Sequence, residues 1–130
     1  MHRLVFLCLL VMALAAAPAR AHQEKLSGAE WVLAGQTGDR AAYLRFDGGR
    51  VGGLGGCNRF GGRYELAGDK LSFAPIMATR MACRPDIMRA EQAFFDMLAK
   101  VHAMRLDGDR LELMDGDGKV LARFNRRAAE

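Results

Sequence analysis

Histidine, cysteine and proline each occur only three times in these 130 residues, tryptophan once and tyrosine twice. So little histidine and cysteine leaves few ligands for a metal centre, and the chain holds no Cys-x-x-Cys pair and no His-Glu-x-x-His run. No internal repeat or linker appears. Long blocks of lysine and arginine are also missing. Acids are interleaved with the arginines, which argues against the basic stripe that a nucleic-acid backbone requires, and no nucleic-acid partner is expected.

Long apolar runs are absent except at the start, MHRLVFLCLLVMALAAAPARA. There Arg3 precedes an apolar run from Leu4 to Ala17, shorter than the roughly 20 residues of a spanning helix. Ala19-Arg20-Ala21 then fits a small-residue cleavage site, so residues 1–21 read as a secretory signal peptide whose removal exposes His22. Cys8 lies inside the apolar run rather than just after it, so no lipid attachment is expected. The expected product is a periplasmic or secreted monomer with no membrane span. Residues 22–130 suffice for one modest domain and not for two. Losing Arg3 and Arg20 lowers its formal charge from +4 to +2.

Cys8 leaves with the signal, so Cys57 and Cys83 are the two thiols that reach an oxidising compartment. A metal site would need ligands nearby, yet His22 and His102 are distant in sequence; a nucleophilic cysteine would need one of those same histidines as its base. A Cys57–Cys83 disulfide is the simplest outcome. Closing that loop contributes about 3 kcal/mol in the chain-entropy description.

What is plentiful is glycine, which punctuates short extended segments. LSGAEWVLAG (26–35) and AAYLRF (41–46) read as strands around a turn at Gln36-Thr37-Gly38-Asp39, with Trp31 as a core anchor. RVGGLGGCNRF (50–60) is too rich in glycine to be held by side-chain packing alone and implies bulges or close backbone approach. Its glycines do not match a phosphate-binding loop. GRYELAG and DKLSFAP form a hairpin turning at Ala67-Gly68-Asp69, with Tyr64, Leu66, Leu71 and Phe73 on one buried face.

One helix is predicted near residues 85–102. Pro85 suits a first helical position and Asp86 faces the positive end of the helix dipole. Ile87, Ala90, Phe94, Leu98 and Val101 make an apolar stripe, with Glu91 and Phe95 on its shoulders. The mixed charges of Arg89, Gln92, Asp96 and Lys100 opposite it fit a helix packed on a sheet rather than a membrane-surface helix. HAMRLDGDRLELMDGDGKVLARF then reads as a second hairpin with Asp107-Gly108 and Asp115-Gly116 as turns; the ligand spacing of a calcium-binding EF-hand loop is absent.

The chemistry available is thin. No Gly-x-Ser-x-Gly or Ser-x-x-Lys motif occurs, and no catalytic residue, metal site or cofactor is expected. Glu91 reads as a structural acceptor, paired with an arginine such as Arg80 or Arg59. A processed His22 with a free amine would permit a copper-binding histidine brace, and so a small metal-dependent enzyme, only if His102 converged on it; HQEKLSG reads as a loose terminus instead.

Gly56-Cys57-Asn58-Arg59 with Gly62 and Tyr64, then Thr79-Arg80-Met81-Ala82-Cys83, then Glu91, Phe94 and Leu98 resemble the META/HslJ domain family, from about Leu26 to Phe124. The resemblance implies a small α+β domain of antiparallel strands with one packed helix. It also implies an exported, non-enzymatic protein of a family linked to heat shock, novobiocin resistance and, in parasites, virulence. Its motif residues here are Asn58, Arg59, Thr79, Met81 and Glu91. Structural roles are expected for them: an asparagine in a left-handed turn, a capping threonine and an arginine–glutamate pair. Met104 stands where the family pattern suggests an aromatic. The expected role is an accessory or stress-related binding module of the cell envelope, with an envelope protein or small ligand as partner. An inhibitor of an envelope hydrolase or protease, offering a loop at Gly48-Gly49 or Ala74–Arg84, is the alternative.

Overall fold

The computed structural model describes residues 17–128, so Cys8 and most of the expected signal peptide lie outside the described residues. The elements run α1 (Ala17–Leu26), β1 (Ala29–Leu33), β2 (Tyr43–Asp47), β3 (Arg50–Leu54), β4 (Arg59–Ala67), β5 (Lys70–Phe73), β6 (Met77–Ala78), α2 (Pro85–Ala99), β7 (Ala103–Asp107), β8 (Arg110–Met114) and β9 (Val120–Ala128). They form one antiparallel sheet in the order β5-β4-β3-β2-β1-β9-β8-β7, with β6 pairing to β4 beside that path. The two ends of the sheet meet: the Leu71 N–H donates to the His102 carbonyl at 3.2 Å and the Met104 N–H to the Asp69 carbonyl at 2.8 Å. The sheet thus wraps toward a barrel, the arrangement that best conceals strand edges.

Alternation along the strands fills the interior. In β2, Leu44 and Phe46 are buried while Arg45 and Asp47 are exposed. Trp31, Leu44, Phe46, Leu71, Leu111 and Phe124 meet Phe94 and Leu98 of α2 in one core, the expected α+β arrangement. The glycine-rich segment permits close approach as anticipated: a Cβ at Gly53 would stand 2.0 Å from the Tyr43 carbonyl oxygen. The Tyr64–Phe73 and Leu66–Leu71 pairs of β4 and β5 face each other as the alternation predicts.

Several expectations are revised. Segment 50–60 divides into β3, a loop and the start of β4, and the tail forms three strands rather than one hairpin. Asp115 organises the last turn, its Oδ1 accepting the N–H groups of Asp117 and Lys119, each at 2.9 Å. Helix α2 stops at Ala99, where Lys100 and Val101 donate to the carbonyls of Met97 and Leu98 and tighten the final turn. Its buried face is Glu91, Phe94 and Leu98, and Ala90 is exposed; the helix is rotated so that Glu91 points inward.

The segment around His22 is not a loose terminus. It belongs to α1, where His22 Nδ1 contacts the Gly68 carbonyl at 2.9 Å and Gln23 bonds the Tyr64 hydroxyl. Leu26 is wholly buried, and its carbonyl accepts the Trp31 indole N–H at 3.0 Å. An apolar residue at the end of a polar stretch suffices to hold it down. Met104 is buried, filling with a flexible thioether the place where an aromatic was expected.

Candidate functional site

The motif residues converge where the β3–β4 loop meets α2. Gly55 opens the loop, its N–H donating to the Asn58 carbonyl at 3.0 Å. It lies so close to the helix that a Cβ would come within 2.8 Å of Phe95 Cζ and 2.9 Å of Glu91 Cγ, so only glycine lets the loop settle. Beneath it, Phe60 packs edge-on against Phe94 and Phe95, at centroid separations of 5.9 and 5.5 Å.

Glu91 is buried in this contact, 6% exposed, and both its oxygens are occupied. Oε2 accepts the main-chain N–H of Cys57 at 2.8 Å and of Asn58 at 2.6 Å, and Oε1 accepts the Asn58 side-chain amide at 2.7 Å. Asn58, equally buried, relays the bonding outward: its Oδ1 accepts the Thr79 hydroxyl at 2.9 Å and the Met81 N–H at 2.6 Å. The carboxamide orientation is fixed, since its nitrogen donates to a carboxylate and its oxygen faces two donors. Among the described residues no buried side-chain nitrogen or oxygen lacks a partner. A fully satisfied polar cluster of this kind rigidifies what it joins.

The expected disulfide is present and fastens the same contact. Cys57 and Cys83 are bonded, with Cα atoms 6.1 Å apart, tying the loop to the residues that lead into α2. Pro85 occupies the start of the helix and Asp86 its first turn, as predicted.

Three proposed roles are corrected. Glu91 forms no ion pair with Arg59 or Arg80; strand alternation turns Arg59 to the exposed side of β4 while Phe60 goes inward, and neutral donors already saturate the carboxylate. Asn58 does not adopt a left-handed conformation, for no described non-glycine residue has positive φ. Thr79 caps no helix: the N-cap position of α2 is Arg84, which makes no side-chain capping bond, and Thr79 instead bonds Asn58.

Segment 76–82 passes over this cluster and, with α2, borders a groove of about 560 Å³. Asn58 and Glu91 line it together with Ile76, Arg80, Met88 and Phe95. Met81 is 59% exposed and Met88 45% exposed, and Met77 beside them in β6 is 82% exposed. These three are the large apolar side chains left in solvent among the described residues. Sequence reasoning found Met81 through its motif but missed Met88 and Met77; the sign of Met88 was an apolar residue off the apolar stripe of α2, and Met77, in a two-residue strand, left none.

No three His, Cys, Asp or Glu side chains gather into a metal-binding group among the described residues. The two described histidines are engaged separately, His22 with the Gly68 carbonyl and His102 with the Lys100 carbonyl, each at 2.9 Å. Of the two loops considered for an inhibitor, Gly48-Gly49 is a tight turn between β2 and β3, and Ala74–Arg84 is pinned by β6, Asn58 and the disulfide.

Residues 24–128 match the profile of the META domain. The chain belongs to the META domain family. This META domain is similar to a protein from Burkholderia xenovorans solved by NMR, at 24% identity over 90% of this chain and 94% of that one, with a TM-score of 0.66. A second NMR structure shares 22% identity over 79% of this chain and 92% of that one, with a TM-score of 0.61. Those likenesses show that the fold is shared. No curated protein matches. No described helix is long and apolar enough to cross a membrane.

Proposed function

We propose that this META domain is a non-enzymatic binding module of the cell envelope, exported by its signal peptide, that docks a partner protein on the methionine-lined groove between segment 76–82 and α2. The carrying observation is that Met81, exposed at the groove, is mounted on backbone that the Asn58–Glu91 cluster and the disulfide hold in place. Met81 contributes its main-chain N–H to Asn58 and its side chain to solvent. Thioether side chains adapt to varied apolar surfaces, while a preorganised backbone lowers the ordering cost of association. The disulfide is compatible with an extracytoplasmic location. A stress-linked role follows the family resemblance.

The test is crosslinking in the bacterial envelope followed by mass spectrometry, comparing the parent protein with a Met81→Ser/Met88→Ser variant and with Cys57→Ser. A specific partner that is recovered with the parent, and lost with the methionine variant whose fold is intact, supports the reading. Equal recovery with parent and methionine variant overturns it. A captured hydrolase that loses activity on binding would specify the role as inhibition.

A further inference from the structure

The outward face of β2, β3 and β4 carries a feature the groove does not use. Its rows are in register: Arg45 lies opposite Gly52, Gly52 opposite Gly61, and Gly61 opposite Met77 of β6. In the row beside it Arg50 stands between Arg63 and Asp47, and in the row on the other side Arg59 faces Leu54. Like charges directly opposed across strands destabilise a sheet, so the fold itself gains nothing from Arg50 against Arg63.

In the other half of the sheet carboxylates hold several of the arginines: Arg105 and Arg123 share Glu112, and Arg127 holds Glu30 at 2.7 Å, while Arg126 lies over the Trp31 ring and Arg110 makes no ion pair among the described residues. Arg45, Arg50, Arg59 and Arg63 are all exposed, and none is ion-paired among the described residues. Glu30, in register with Arg45, is already taken by Arg127. Asp47, in register with Arg50, and Glu65, on the strand of Arg63, do not reach ion-pair distance of them, and the four guanidinium groups outnumber these two carboxylates.

Gly52 and Gly61 raise no side chain between these arginines, while Met77 projects at their margin, 82% exposed. Free cationic groups spread over a bare floor beside one projecting apolar side chain fit an extended anionic layer, where each guanidinium can meet a separate phosphate. We propose that this face of β2, β3 and β4 binds anionic phospholipid headgroups, with Arg45, Arg50, Arg59 and Arg63 pairing to phosphates and Met77 entering the headgroup layer. The proposal does not depend on the groove, which opens between segment 76–82 and α2.

The test is co-sedimentation of the exported protein, recovered from the periplasm, with vesicles of pure phosphatidylcholine or of equal parts phosphatidylcholine and phosphatidylglycerol. Binding is expected only to the anionic vesicles and is expected to fall as salt is raised. Arg50→Gln/Arg63→Gln should weaken it by about fivefold per arginine removed. Arg89→Gln/Lys100→Gln, which removes the same charge from exposed positions of α2, should leave it unchanged. Far-UV dichroism checks that each variant is folded. Equal binding to both vesicle types, or equal loss in the two double variants, overturns the proposal. So does saturation of the face by one inorganic phosphate per chain, which would mark a discrete anion site.

Discussion

Asn58 occupies both oxygens of Glu91, its main-chain N–H meeting Oε2 at 2.6 Å and its side-chain amide meeting Oε1 at 2.7 Å. One residue of the β3–β4 loop is thereby locked to one residue of α2, and the remaining oxygen of Asn58 holds segment 76–82 through Thr79 and Met81. The groove rests on this relay.

Replacing Glu91 with Gln turns one of its acceptor atoms into a donor facing donors. Asn58 cannot flip to compensate without losing Thr79 and Met81. Glu91→Gln should therefore cost about 1–3 kcal/mol, the penalty of a buried unsatisfied group. Urea denaturation of parent and variant measures it, and a change below about 0.5 kcal/mol, the range of ordinary surface substitutions, would contradict the assignment.

Asn58→Asp sets a second carboxyl against the first, and two carboxylates in one buried site push a proton onto the pair. A carboxyl whose folded-state pKa lies above its unfolded value binds more protons when folded, so its stabilising proton is present at low pH and lost as pH rises through the folded pKa. The stability gap between parent and Asn58→Asp should thus widen from mildly acidic to mildly alkaline pH. Thermal midpoints across that range decide the matter; a gap independent of pH would refute it.

Gly55→Ala would press a methyl group against Phe95 and the Glu91 side chain, with contacts of 2.8 and 2.9 Å. Overpacking of this kind costs about 1–3 kcal/mol. The comparison is Gly56→Ala, where the nearest side-chain atom stands 3.9 Å away and the penalty comes only from the glycine's φ of +119°. Both variants should lose stability, but weakened protection of the Asn58 amide is expected for Gly55→Ala alone, and equal protection in the two variants would contradict the packing argument.

The disulfide predicts two freely alkylatable thiols only after reduction. In the chain-entropy description its removal by Cys57→Ser/Cys83→Ser lowers stability by about 3 kcal/mol. Alkylation of the native, unreduced protein at Cys57 or Cys83 would show that the bond does not form.

Much of this was legible in the residues. Pro85 and Asp86 marked the start of α2, alternation in Tyr64, Leu66, Leu71 and Phe73 marked a hairpin, and the export reading left two cysteines to pair. The partners of Glu91 were not legible: two of its three donors are main-chain N–H groups 33 and 34 positions away, which leave no mark in side-chain composition, and the third is the side chain of Asn58, which the left-handed-turn reading assigns elsewhere. The same holds for closure of the sheet, which depends on backbone bonds from Asp69 and Leu71 to Met104 and His102. Strand β6 has two residues, too few to show a period, and α1 is held by Leu26 and tertiary bonds rather than by an apolar stripe.

Hydrogen exchange at three amides tests the relay most directly. The N–H groups of Cys57, Asn58 and Met81 sit in loop segments, yet each ends on the Glu91–Asn58 pair. They should exchange as slowly as the core-strand amide of Leu44, and Glu91→Ala should release all three together. Exchange of these amides at the rate of an exposed loop in the parent protein would contradict the account.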